Sequence, residues 1–292
     1  MTFDRLARRK IFSHVVTVLG GLAVLVVLIP LASVIYTAAS RGGSLLLNPA
    51  FYVKLPPLPC STIACQTVGI GPAIQGTLIL LGLSGAISTA IGVSAAIFAS
   101  EYRTHGLGQA ISFTADVLTG VPSIIMGVFI YSYFALYDPR LAFSALTGTL
   151  ALSILMIPIV IRTTEEALRT VPNSLREAAL ALGMSKWRTT VRIVLATAFP
   201  GILTGILLAI MRAAGEAAPL LFTAFGSRLF FSGVNHPVAA LPLLIFEFAE
   251  SSYSNWIAVA WGATLFLIIL VLAANVLSRL SIQRMVRRMG GR

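Results

Sequence analysis

Arg212 and Glu216 stand in the run LLAIMRAAGEAAPLLF, two ionisable residues in an otherwise apolar stretch. Four apart, they share a helix face and can neutralise each other, which lowers the cost of holding either in a bilayer. Gly215 and Pro219 weaken the helix beside them, and irregular backbone at membrane depth is tolerated only inside protein or beside a wet cavity. Two readings follow. In one, the guanidinium lines a substrate path, its planar fork of donors suited to a phosphate-like anion. In the other, the two residues form a structural ion pair between helices. With the hydrocarbon starting at Ile193, Arg212 lies about 28 Å along the helix, near the far surface; with a start at Pro200 it lies about 18 Å in, near the midplane.

Asp116, in ISFTADVLTGVPSIIMG, and Arg162, at the inner end of a later apolar run, are secondary candidates. Asp116 reads either as a carboxylate inside a span or as an N-terminal carboxylate stabilised by its helix dipole. Other chemistries lack their residues. The lysines at 10, 54 and 186 do not follow glycine, so no nucleotide-binding G-x-x-x-x-G-K-[ST] loop exists. His14, His105 and His236 are far apart and lack metal-site spacing, and no serine sits in G-x-S-x-G. An enzyme is not expected.

The elements that must position these residues are membrane helices. The chain of 292 residues is 57% hydrophobic and 11% charged, with a mean hydropathy of +0.92. Such values belong to integral membrane proteins. Apolar runs of about 20 residues or more, uncharged or carrying a single charge, mark six spans, near 11–37, 70–98, 107–137, 141–162, 193–213 and 253–278. With the N-terminus in the cytoplasm, the inner segments carry 16 of the 21 Lys and Arg residues and the outer ones four, with Arg212 unplaced. That bias fixes both termini and a 163–192 loop as cytoplasmic. Cys60 and Cys65 fall in the first outer loop, as a disulfide or as two thiols, and Leu229 to Phe246, broken by Pro237 and Pro242, reads as an outer loop or re-entrant element.

The cytoplasmic loop contains SLREAALALG, residues 174–183. Ser174 and Glu177 have capping-box spacing, and Gly183 suits the left-handed turn that ends a helix. Leu175, Ala178, Ala179 and Leu182 fall at i, i+3, i+4 and i+7, on one apolar face. Two turns of helix are marginal alone in water, so this face is expected to dock on something.

Glu177-Ala178-Ala179, then Gly183, then Ile193-Val194-Leu195 resembles the EAA signature of the membrane subunits of binding-protein-dependent ABC importers. The runs VLTGVPSIIMG, RTTEEALRTVPNSLREAALALG and TGILLAIMRAAGEAAPLLFTA are similar to phosphate-import permeases of the PstA type. The signature's closing proline is Ala196 here, with Pro200 a turn later. The resemblance implies an all-α, six-span type I importer permease in a bacterial inner membrane. It implies as partners a second, related permease, two copies of a cytoplasmic ATPase and an external phosphate-binding protein. ATP and Mg would be held by the ATPase, with no cofactor on this chain. Glu177, Ala178, Ala179, Gly183, Leu175 and Leu182 would then form the coupling helix that docks in the ATPase. A permease for molybdate or sulfate, and a membrane scaffold that binds a partner without moving solute, remain as alternatives.

Overall fold

The computed structural model describes residues 2–59 and 68–290, so Cys60 and Cys65 lie outside the described residues. The described chain is helical, without strands. Helix α1 (Thr2–Leu46) is followed by the short α2 (Ala50–Val53) and by α3 (Gly71–Glu101). Next come α4 (Gly106–Thr119), α5 (Ser123–Tyr137) and α6 (Ala145–Arg169). After α7 (Asn173–Ala181) and α8 (Lys186–Thr189), a π turn over Thr190–Val194 leads into α9 (Leu195–Ala213). The chain closes with α10 (Ala218–Thr223), α11 (Leu241–Ala249) and α12 (Ser254–Gly290).

Five helices are long and apolar enough to cross a membrane, and α4 with α5 makes a sixth crossing when taken together. The expectation of one helix over 107–137 is corrected here, because α4 and α5 meet at an angle of 104°. The physical reason is Gly120-Val121-Pro122. Pro122 has no N–H to continue the ladder and biases Val121 away from helical angles, while Gly120 adds backbone freedom beside it.

Helix α6 is the axis of the bundle, with Leu152, Met156, Val160 and Leu168 buried. Small residues set its neighbours' registers. Gly148 meets Leu80 and Gly92 meets Val160, a constant offset that makes α3 and α6 parallel. Gly201 faces Ala167 and Gly205 faces Thr163, so α9 runs antiparallel to α6. A Cβ at Gly205 would overlap the Thr163 side chain, which shows how closely the two helices approach. Near its end α1 presses Gly42 against the backbone of Trp261 at the start of α12, so these two also run antiparallel. From Phe12 to Tyr36 the described side chains of α1 are exposed, as on a helix covered by lipid or by another protein.

The segment between α10 and α11 folds back over the start of α6. Ser144 and Thr147 form a reciprocal capping box, while Ser144 N–H donates to Thr223 O at 2.8 Å. Ala145 N–H and Leu146 N–H donate to the carbonyls of His236 and Val234 at 2.9 and 2.8 Å. Four free N–H groups open every helix, and here a returning chain satisfies those that water cannot reach. The segment expected as loop or re-entrant therefore ends in a packed helix, α11, with Leu241, Leu243, Leu244 and Phe248 buried. Pro242 sits in the first turn of that helix, where its missing N–H does no harm.

Candidate functional site

Helix α9 ends at Ala213, one residue after Arg212. Gly215 N–H returns to Arg212 O at 3.2 Å and Glu216 N–H to Ala213 O at 3.1 Å, tight turns that replace the α-helical ladder before Pro219 opens α10. The register against α6 gives the depth of this break. Gly205 opposite Thr163 places Arg212 level with Met156. At 1.5 Å per residue Met156 is about 16 Å from one end of α6 and about 20 Å from the other. Arg212 is therefore about midway along α6, at mid-depth in the bundle.

Beside it lies a cavity of about 150 Å³, walled by Thr119, Pro122, Ser123, Leu155, Arg212 and Glu216 among others. Two helix breaks thus face each other across one space, the α4–α5 corner and the α9–α10 turn. They are held in contact at Gly127, where a Cβ would come within 2.6 Å of Pro219 Cα. The first N–H groups of the 15-residue α5 carry partial positive charge toward the corner. Arg212 Nε is 3.9 Å from Glu216 Oε1, a separation beyond hydrogen bonding. The carboxylate offsets the charge without consuming the donors. The Arg212 side chain is 54% exposed and that of Glu216 22%, so the guanidinium is free to take an anion.

The secondary candidates meet in a second cluster. Arg162 on α6 pairs with Asp116 on α4, with Glu165 at 2.7 Å, and with the Ser112 carbonyl at 2.8 Å. Ser112 Oγ donates to the other Glu165 oxygen at 2.5 Å. Asp116 is the eleventh residue of α4, so the N-terminal dipole reading is corrected: near the end of a helix the dipole opposes a carboxylate, and Arg162 offsets it. Glu165, only 2% exposed, was missed in the sequence, although its place three residues after Arg162 is a helical ion-pair spacing.

At the same end of the bundle α7 projects from α6. The expected Ser174–Glu177 capping box does not form. Extended Pro172 starts the helix at Asn173, which puts Ser174 inside the first turn, and no side chain caps it. The other end is as the sequence indicates. Gly183 has φ +80°, Gly183 N–H donates to Leu180 O at 2.9 Å and Met184 N–H to Ala179 O at 3.2 Å, the paired bonds of a Schellman motif. Ala179 turns into the protein while Leu175, Glu177, Ala178 and Leu182 face outward. Leu182 is 84% exposed and Trp187 on α8 is 70% exposed. Trp187 adds a large exposed apolar side chain on the helix that follows α7 and was not singled out in the sequence. Arg176 ties α7 to the last residue of α3 by an ion pair with Glu101 at 2.5 Å. No local sequence signal marks a pair 75 residues apart.

A bundle of five or six membrane helices around a mid-depth break, with an apolar helix projecting at one end, defines a multi-pass membrane permease component. A sequence profile of the family described as binding-protein-dependent transport system inner membrane component matches residues 88–291. The chain belongs to that family, among its PstA-type permeases. It is 40% identical over 229 residues to the phosphate transport system permease protein PstA of Xylella fastidiosa strain 9a5c, covering 78% of each chain. It is 37% identical over 277 residues to the protein of that name in Haemophilus influenzae, covering 94% of this chain and 95% of the relative. With PstA 1 of Mycobacterium tuberculosis H37Rv it shares 38% over 272 residues, 92% of this chain and 86% of that one. These relatives are permease proteins rather than enzymes. Among solved structures, an inward-facing MetNI methionine ABC transporter matches with a TM-score of 0.59 at 18% identity, over 74% of this chain and 94% of that one. That likeness carries the type I importer permease fold. A binding-protein-dependent ABC system implies an ATPase and a binding protein as partners.

Proposed function

We propose that the chain is the membrane-spanning subunit of an ATP-driven importer of inorganic phosphate, forming the path and coupling it to a separate ATPase. The observation that carries this is Arg212, at mid-depth, on a cavity between two broken helices, with its donors unspent. Phosphate is favoured over molybdate or sulfate by the names of the PstA relatives, since a guanidinium fork takes any tetrahedral oxyanion. In the working assembly a second, related permease sits beside this chain, two ATPase copies lie below and a phosphate-binding protein delivers from outside. Both termini and α7 are cytoplasmic, as the Lys and Arg bias supports. The chain performs no catalysis, and ATP and Mg belong to the ATPase.

Leu175, Leu182 and Trp187 form the docking face, with Ala178 between the two leucines and Glu177 on the outer side of the helix. Closure of the ATPase dimer pushes α7. The push passes through Arg176 and Glu101 to α3, and through the α8–α9 rod to the residues before Arg212. Rocking of the two permeases then exposes the cavity to each side in turn.

The test is uptake into vesicles holding the purified assembly. Labelled phosphate accumulates only with ATP inside and with the ATPase present, and unlabelled molybdate or sulfate fails to compete. Accumulation without any ATPase sinks the proposal; competition by molybdate moves it to another oxyanion. Gly183→Val tests the docking helix. A β-branched residue in the left-handed region is strained by at least about 1–2 kcal/mol, so the turn at φ +80° opens. The ATPase is then expected to copurify poorly and transport to fall severalfold, while the anion cavity is untouched. Normal copurification and uptake would remove α7 from the coupling route.

A further inference from the structure

Between the end of α3, the first turns of α4 and the last turn of α6 lies a cavity of about 250 Å³, walled chiefly by Ser100, Arg103, Gln109, Ser112, Glu165 and Arg169. It shares no lining residue with the space beside Arg212. Its charges are unbalanced in one direction. Both oxygens of Glu165, the wall's only carboxylate, are engaged, one by the Ser112 hydroxyl and one by Arg162, which also holds Asp116. With Arg103 and Arg169 three guanidiniums therefore stand against two carboxylates, and one positive charge is left over. Among the described residues Arg103 and Arg169 form no ion pair, although three other arginines close by or on α7 and the α10–α11 segment do. Two unpaired guanidiniums, the Gln109 amide and the Ser100 hydroxyl thus line one hollow. Forked, charge-assisted donors of this kind select planar or tetrahedral oxyanions over halides.

We infer that this hollow is a second oxyanion site, at the end of the bundle that carries α7, and that it takes a phosphate group. Two sources supply one there: inorganic phosphate on the cytoplasmic side, and the headgroup of an anionic phospholipid, since basic pockets between helix ends at that interface hold such headgroups. The site stands apart from the transport path and is measured at equilibrium without ATP. Its place gives it a consequence. Ser100 precedes Glu101, which holds Arg176 of α7, so an anion bridging Arg103 and Arg169 ties the ends of α3 and α6 together beside the root of the docking helix. Occupancy stiffens the lever that the ATPase moves.

Arginine modification by phenylglyoxal, read peptide by peptide with mass spectrometry, tests this on the full chain in lipid nanodiscs. Three preparations are compared at matched ionic strength: phosphatidylcholine discs with sodium chloride, the same discs with inorganic phosphate, and phosphatidylglycerol discs with sodium chloride. At phosphate about ten times its dissociation constant the open fraction falls about elevenfold, and modification of Arg103 and Arg169 slows to match. Slowing by phosphate assigns the site to the free anion. Slowing only in phosphatidylglycerol assigns it to the lipid headgroup. Equal rates in all three preparations, or the same slowing at the exposed Arg140 and Arg188, overturn the site. Gln109→Leu keeps both guanidiniums and is expected to weaken the protection; undiminished protection in that variant reduces the effect to general charge and overturns it too.

Discussion

Arg212→Gln abolishes phosphate accumulation while the assembly purifies in normal yield. Glutamine keeps a donor and most of the length but loses the charge and the fork. Two charge-assisted hydrogen bonds at about 1.5–3 kcal/mol each correspond to more than about a hundredfold in anion binding. Folding survives because Glu216, the partner left behind, borders a cavity and is not sealed in lipid. The rival account, a structural ion pair, makes the opposite forecast for the double variant. Arg212→Gln with Glu216→Gln removes both charges at once, so a purely structural pair predicts that uptake returns. A guanidinium that binds the transported anion predicts that it does not. Uptake in membrane vesicles, normalised to the amount of intact assembly, separates the two.

The single-variant Glu216→Gln carries the finer point. The 3.9 Å gap means that Glu216 offsets charge without occupying donors. Its removal leaves the cation unopposed and tightens anion binding, which slows release. Phosphate binding then rises while turnover falls, a split that loss of a structural brace would not produce.

Features governed by a single physical rule are legible in the sequence, and those made where distant segments meet are not. Uncharged length alone marks α1, α3, α6, α9 and α12, because each must exclude charge over the hydrocarbon thickness. The corner at Pro122 was missed for a reason the structure itself supplies. Pro30, Pro158 and Pro200 all lie inside continuous helices, so proline in a membrane helix does not by itself announce a break. Pro122 turns the chain because Gly120 stands two residues ahead and the corner is held by the close contact of Gly127 with Pro219. At α7 the local signal misled in the opposite sense. Ser174 and Glu177 have ideal cap spacing, but Pro172, preset in an extended conformation, starts the helix earlier. Arg212 and Glu216 were legible as charges where lipid should be. Their depth was not, because it is set by Gly201 and Gly205 against α6, a register between helices that neither sequence run contains.

Gly127→Ala is the second change expected to have a large effect, although it adds one carbon. Its Cβ would stand 2.6 Å from both Cα and O of Pro219, and both belong to backbone. No rotamer change relieves such a contact, so α5 and α10 must part, at a cost of about 1–3 kcal/mol for overpacking. The parting falls on the seam that holds the α4–α5 corner against the α9–α10 turn, which is the frame of the anion cavity. Transport is therefore expected to be lost while α7, far along α6 from the seam, keeps its hold on the ATPase. ATP hydrolysis without phosphate movement is the signature. Gly82→Ala on α3, whose added carbon would meet nothing within 4 Å, is the matched control and should transport normally. If Gly127→Ala also transports normally, the two breaks do not act as one frame. If it loses both transport and ATPase binding, the seam supports the whole bundle and not the cavity in particular.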